Sequence, residues 1–497
     1  MTASKSRAAL LLALALLVAP AAHPQLPALG GADEMSTGAE RLMGERIARE
    51  LYRDPDYIDD PVVVEYVQKI WQPLLAAARA RGELTGDIDQ SFAWQVLLGK
   101  DRTINAFALP GGWLGLHMGL VAVTSTRDEL ASVLAHELSH VTQRHISRLI
   151  AQEDRQSPLM IGAMILGALA ATRNPQAGSA VMAGSTALSA QTQLNFSREM
   201  EREADRIGYG VMTQAGFQPQ GFVSMFDKLQ QAGRLNDSGA FPYLRTHPLN
   251  TERIAEMQSR QQLAGRGAPL VPTLEHAMVA GRARVISNPG VDALRAQMAE
   301  ADGSAFAGLP RARQAGVLYA SAFAASRLRE HATAARLAAR LAALVAGDAA
   351  AVRLSNLLAA EVALAAGDAP RVLSLVDASA TGRPELMLLS QARLQTQRAA
   401  EAVAPLQTWV ATHPRDSGAW QLLARAYAGQ GQSLRSIRAE AEAQVAQLDY
   451  AAALDRLKAA QDLTRKGGAG GDHIEASIID TRARQVESLL REQTLER

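Results

Sequence analysis

The sequence predicts an α+β domain, mostly helical with a small sheet that includes an edge strand, followed by an all-α domain of helix-pair repeats. Three observations carry this. Residues 32–265 mix helical and strand-like apolar spacings. From Arg311 onward the chain is almost entirely Ala, Leu, Arg, Gln and Glu at helical spacing. Between them, residues 261–273 are rich in Gly and Pro, the composition of a boundary. The expected units are an α+β domain at 32–265, a linker helix region at 266–310 and a repeat domain at 311–497. A chain of 497 residues is too long for one core, which agrees with more than one unit.

Taken in order, residues 39–51 and 61–80 have helical apolar spacing. Residues 92–98 alternate as a strand does, and 99–102 suit a turn. Residues 105–109 and 113–116 read as short strands around Pro110-Gly111-Gly112. Residues 127–148 read as one helix, with Asp128 and Glu129 early in it, where acidic groups favour the helix dipole. A second polar helix covers 195–214, and another covers 222–232.

Further on, breaks at Ala366-Gly367-Asp368, Thr396-Gln397-Arg398 and Gly429-Gln430-Gly431 recur near the period of helix-pair repeats, about 34 residues. Trp420, Leu423 and Tyr427 match the first-helix pattern of a tetratricopeptide repeat, with Ala424 where Gly is usual. Tyr450, Ala453, Leu457 and Ala460 match the second-helix pattern. A generic Ala-rich bundle is the alternative.

Composition excludes several chemistries. With 51 basic and 50 acidic residues, the net charge of +1 gives no argument for nucleic acid. The absence of cysteine excludes disulfides, thiolate metal sites and cysteine nucleophiles. Lys5 and Arg7 precede an apolar run over 8–19, followed by small residues. That order predicts a cleavable signal peptide at 1–21 and a periplasmic mature chain. The run is shorter than the roughly 20 residues that span a bilayer.

The chemistry gathers in His136-Glu137-Leu138-Ser139-His140. Four residues are slightly more than one helical turn, so both imidazoles share a face. Two neutral imidazoles at that spacing suit two corners of a tetrahedral zinc site. Glu137 lies beside them, where it can take a proton from a water that zinc brings to a pKa of about 7. A third protein ligand is needed. The second polar helix offers Glu199, Glu201, Glu203 and Asp205. Glu201 with Asp205 shares one face, and Glu199 with Glu203 shares another. Spacing leaves both pairs open.

Those residues, with Glu201-Arg202-Glu203-Ala204-Asp205 and Thr246-His247-Pro248, resemble the membrane-associated zinc peptidase family that includes the HtpX, Oma-type and CAAX-prenyl peptidases. The resemblance implies His136, His140 and Glu201 as a gluzincin-like ligand set for one zinc per chain, with Glu137 as general base. Asp205 then holds a ligand imidazole from outside the ligand shell. His247 is read as a proton donor or a fourth ligand, against a plain helix-start residue before Pro248. Asn250 and Arg253 are expected to anchor its loop. Residues 105–112 resemble the family's edge strand, to which an extended peptide can add.

The export signal and the repeats narrow the resemblance to periplasmic members that act in outer-membrane β-barrel assembly. A zinc metalloendopeptidase with chaperone-like activity is then implied. Its partners would be barrel proteins and their assembly machinery, reached through the repeat domain. A mainly non-proteolytic scaffold docking on that machinery is the alternative. Two apolar stretches, 159–171 and 177–190, flank Arg173-Asn174-Pro175. They are read as a lid, a peripheral membrane contact or a core hairpin.

Overall fold

Four short strands form a sheet of order β1-β2-β4-β3, namely β1 (Tyr57–Ile58), β2 (Gln95–Gly99), β3 (Ala106–Leu109) and β4 (Trp113–His117). These come from a computed structural model that describes residues 35–152, 197–235, 242–263, 269–465 and 473–495. The expected signal at 1–21 and the apolar stretches at 159–171 and 177–190 lie outside the described residues.

β3 and β4 pair antiparallel from Ala106↔Leu116 to Leu109↔Trp113. Gly111 and Gly112 close the turn at φ 71° and 81°, which favours glycine. A Cβ on Gly111 would also stand 2.9 Å from Arg41 Cα. β2 and β4 run parallel, so β3 is left at one edge of the sheet, as expected for an edge strand. The expected strand at 92–98 begins later, at Gln95. Trp94 takes a positive φ of 51°, and its carbonyl accepts a bond from Trp71 Nε1 at 3.1 Å.

Helices α1 (Thr37–Arg53), α2 (Pro61–Ala80), α3 (Gly86–Ser91) and α4 (Met118–Val123) surround the sheet. Asp60 caps α2, accepting from Val63 N at 3.0 Å, with Pro61 suited to the first helical position. Helix α5 (Arg127–Thr142) is the central rod, buried from Asp128 to Thr142. Thr126 caps it, accepting from Glu129 N at 3.2 Å. The expected helix over 127–148 is two helices, because Arg144 adopts a left-handed φ of 52°. The chain then restarts as α6 (His145–Gln152). Helices α7 (Arg198–Gln214), α8 (Gln220–Leu235), α9 (Pro242–Thr246) and α10 (Thr251–Leu263) follow, with α7 and α8 packed on α5.

The remainder is helical. It runs through α11 (Leu274–Ser287), α12 (Val291–Glu300), α13 (Arg311–Arg327), α14 (His331–Val345), α15 (Ala349–Ala365) and α16 (Ala369–Leu375). It continues through α17 (Arg383–Gln395), α18 (Ala400–Thr412), α19 (Ser417–Ala428), α20 (Ser433–Ala446), α21 (Tyr450–Arg465) and α22 (His473–Leu495). The three expected breaks fall between helices, closed by left-handed Gly367, Gln397 and Gly431. Leu423, Tyr427, Ala453, Leu457 and Ala460, picked out by the repeat pattern, are buried. Among the described residues no helix is long and apolar enough to cross a membrane.

The α+β part and the first helices of the C-terminal region share one apolar core, which extends from Val62 on α2 to Ala392 on α17. Arginines on three successive layers grip the start of α2. Arg282 meets both oxygens of Asp60 at 2.7–2.9 Å, Glu361 at 2.8 and 3.0 Å, and Tyr319 Oη at 2.9 Å. Arg353 bridges Glu65 and Glu385, and Arg383 bridges Asp59 and Asp416. Burial opposes the charge on Arg282, but Asp60 and Glu361 keep it firmly protonated.

Arg282→Ala would leave Asp60 and Glu361 close together without their cation. The expected loss is about 3–5 kcal/mol, read as a lower urea midpoint of the full chain. An unchanged midpoint would mean that apolar packing alone holds this seam.

Candidate metal centre

His136 and His140 leave the same face of α5, with their Nε2 atoms 3.0 Å apart. Helix α7 lies across that face. It can approach so closely because Gly208 has no side chain. A Cβ there would sit 3.1 Å from Ala135 C and O and from His136 N. Seven residues earlier on α7, about two turns, Glu201 reaches the imidazoles. Its Oε2 is 3.5 Å from His136 Nε2, and its Oε1 is 3.3 Å from His140 Nε2. Of the two pairs that spacing left open, Glu201 and Asp205 therefore face the histidines. Glu199 is exposed, and Glu203 turns to His145 and Arg148.

His247 follows directly after α9 and is buried, so it is not a helix-start residue. Its backbone N donates to Tyr243 O at 2.8 Å, and its ring stacks on Tyr243 with centroids 4.6 Å apart. Tyr243 N in turn donates to Ile104 O, tying α9 to the segment before β3. His247 Nδ1 lies 3.0 Å from Glu201 Oε1 and 3.3 Å from His136 Nε2. Its Nε2 is 3.5 Å from Glu137 Oε1. Glu137 is fully buried, and among the described residues neither of its carboxylate oxygens has a hydrogen-bond partner.

One group of His and acidic residues suited to a metal is found among the described residues: His136, His140, Glu201 and His247, with donor atoms within 4.8 Å of one another. Ligand atoms about 2.0–2.1 Å from one tetrahedral ion stand about 3.3–3.4 Å apart. Glu201 Oε1 and His140 Nε2, 3.3 Å apart, match that spacing, and the two imidazole Nε2 atoms at 3.0 Å lie slightly inside it. The residues present therefore fit a divalent ion.

Around these donors lies a charged layer. His136 Nδ1 stands 2.8 Å from Asp205 Oδ1. Arg253 grips Asp205 with Nε and Nη2 at 2.7 and 2.9 Å. Its Nη1 lies 2.7 Å from Glu201 Oε2 and donates to Pro248 O at 2.8 Å. Asn250 Oδ1 accepts from Arg253 N at 2.9 Å. The expected loop anchors therefore do anchor it, and Arg253 also joins the two acids of α7.

Burial opposes the charge of Asp205, but Arg253 outweighs it and holds the carboxyl below its usual range. Glu201 is held well below its range in spite of burial, by His247 and by contacts with His136 and His140. Burial also opposes charge on His136, yet Asp205 and Glu201 raise it to about 10. His140 goes the other way, pressed well below its usual value by burial, with His136 adding to the effect.

Sequence reasoning missed His145. Five residues after His140 on a continuous helix, it would point about 140° away. The turn at Arg144 brings it back, so that its Nδ1 is 2.8 Å from His140 Nδ1. Its Nε2 is 3.1 Å from Glu203 Oε2. The usable signal was a third histidine just beyond the motif, where helix continuity was assumed.

The model of peptidase family M48 matches residues 65–261. The chain is 30% identical over 469 residues to the beta-barrel assembly-enhancing protease of Escherichia coli (strain K12), covering 93% of this chain and 92% of that one. It is 35% identical over 274 residues to a putative beta-barrel assembly-enhancing protease of Vibrio cholerae, covering 54% of each. It is 27% identical over 196 residues to the mitochondrial metalloendopeptidase OMA1 of Saccharomyces cerevisiae, covering 38% of this chain and 54% of that one.

Gly208→Val should force α7 away from α5 and spread the donors. The expected cost is about 1–3 kcal/mol of stability and at least roughly tenfold in metal affinity. Competition with a chromophoric chelator measures the second effect. Unchanged affinity would mean that the helix contact does not set the site.

Proposed function

The chain belongs to peptidase family M48, and on that premise we propose that it is a periplasmic zinc-dependent endopeptidase. We further propose that it acts in the quality control and assembly of outer-membrane β-barrel proteins. The observation that carries the catalytic part is the convergence of His136, His140, Glu201 and His247 beside the buried carboxylate of Glu137. An all-N/O donor set rich in imidazole suits zinc, and the single such group among the described residues supports one ion per chain.

His136, His140 and Glu201 are the proposed ligands. When bound, the ion supplies Lewis-acid polarisation of the scissile carbonyl and lowers the pKa of a water to about 7. Glu137 takes the proton of the attacking water and passes it to the leaving amine. Asp205 orients His136 through Nδ1, and Arg253 keeps Asp205 ionised. His247 Nδ1 is near enough to Glu201 and His136 to act as a fourth donor that closes the open position at rest. Its Nε2, near Glu137, favours a second reading as a proton donor to the developing oxyanion.

The edge strand β3, packed against α5, suits an extended polypeptide substrate. The signal at 1–21 would deliver the chain to the periplasm. Residues 32–265 would form the catalytic unit and 266–310 a linker helix region. Residues 311–497 would form a tetratricopeptide-like domain whose stacked helix pairs dock on the barrel-assembly machinery and lend chaperone-like activity. Residues 159–190 would cover the site or touch the membrane. The name of the E. coli relative, similar along nearly the whole chain, supports the barrel-assembly role. A mainly scaffolding protein is the second reading, favoured by the length of the helical half. The intact Glu137 supports the first.

Glu137→Gln should retain zinc and lose casein hydrolysis by about 10²–10⁴-fold. Glu201→Ala should lose both. Full hydrolysis by Glu137→Gln would overturn the mechanism, and normal zinc content in Glu201→Ala would overturn the ligand set.

A further inference from the structure

We propose that His145, held by Glu203, is the positioning residue of His140: it fixes the imidazole so that Nε2 presents its lone pair to the metal cluster. This rests on the reading of the cluster as a zinc site. The two ligand histidines are supported differently. His136 Nδ1 meets a carboxylate, Asp205, at 2.8 Å. His140 Nδ1 meets a second imidazole, His145 Nδ1, at 2.8 Å.

Two imidazole nitrogens at that distance share one proton, and the donor follows from what lies beyond. His145 Nε2 is 3.1 Å from Glu203 Oε2. Arg148 Nη1, 2.9 Å from the same oxygen, pairs with Glu203 as a carboxylate. An ionised carboxylate only accepts, so the proton of that contact is on His145 Nε2. A neutral His145 then carries a lone pair on Nδ1 and can only accept there. The proton between the rings therefore belongs to His140 Nδ1. His140 Nε2 is left unprotonated, 3.3 Å from Glu201 Oε1 and facing the other donors.

The backbone is built for this contact. Arg144 holds a left-handed φ of 52°, and its side chain is secured by Glu40 and the Met35 carbonyl. That turn seats His145 under His140, with no exposed surface. A residue needed only for packing would not require hydrogen-bonding atoms at both ring positions. Ligand histidines generally donate their second nitrogen to an acceptor, and loss of that acceptor weakens metal binding about 10–100-fold.

The test uses full-length protein and zinc itself, in competition with a chromophoric chelator. Circular dichroism and thermal midpoints of the metal-free proteins serve as the folding control. His145→Leu should bind zinc about 10–100-fold more weakly than wild type. His145→Gln should recover most of that loss, because its amide oxygen can accept from His140 Nδ1 while its nitrogen donates to Glu203. Glu203→Leu changes a partly exposed position that keeps the fold even if His145→Leu does not. It should weaken zinc in the same direction, because it frees the tautomer of His145. Zinc binding by the two leucine variants as tight as that of wild type would overturn this inference alone. Equal weakness of His145→Leu and His145→Gln would reduce His145 to packing and also overturn it. A wild-type protein that does not bind zinc would overturn the metal-centre reading, and this inference with it.

Discussion

The guanidinium of Arg253 makes the rest of the centre possible. Glu201 and Asp205 lie on one face of α7, both buried. Two carboxylates in such a place would repel each other and cost several kcal/mol each to desolvate. Arg253 spans them, with a two-pronged contact to Asp205 and a third to Glu201 Oε2. Its planar fork suits this role in a way that a lysine point charge would not. Through Asp205 it fixes His136, and through Pro248 O it fixes the segment that carries His247. One cation therefore sets the charge of Asp205, the orientation of His136 and the position of the loop at once.

The scaffold around this pair is rigid for ordinary reasons. Helix α5 is buried along almost its whole length, so it cannot rotate without disturbing packing on every side. Gly208 sets how close α7 comes, and the Tyr243 stack sets where His247 sits. The arginine layers at Asp59, Asp60 and Glu65 tie α2, and with it the sheet, to the helical half. One apolar core joins the two halves and holds buried residues from each, such as Val62 and Leu389.

Much of this was legible in the sequence, and the exceptions have physical causes. The spacing of His136 and His140 specifies a shared helical face, and the structure has it. The strand pair around Pro110-Gly111-Gly112 was legible because its turn needs glycine conformations. The choice between Glu201 and Glu203 was not legible from spacing. Both are compatible with a helix, and only the tertiary crossing of α7 over α5 separates them. His145 was invisible because helical periodicity carries across Arg144, whereas the backbone does not. Nothing in the identity of Arg144 signals a left-handed turn, which tertiary contacts with Glu40 and Met35 stabilise. Arg253 was expected to anchor a loop. Its reach to two acids some fifty residues away is a long-range contact that no local pattern encodes.

On the proposed function, His136, His140 and Glu201 hold one zinc ion. X-ray absorption at the zinc edge of the purified full-length protein tests it most directly. The expected result is a nitrogen/oxygen shell at about 2.0–2.1 Å with the outer-shell scattering of imidazole rings, at one zinc per chain. A shell of oxygen alone without imidazole scattering, or protein purified without bound zinc and unable to take it up, would contradict it.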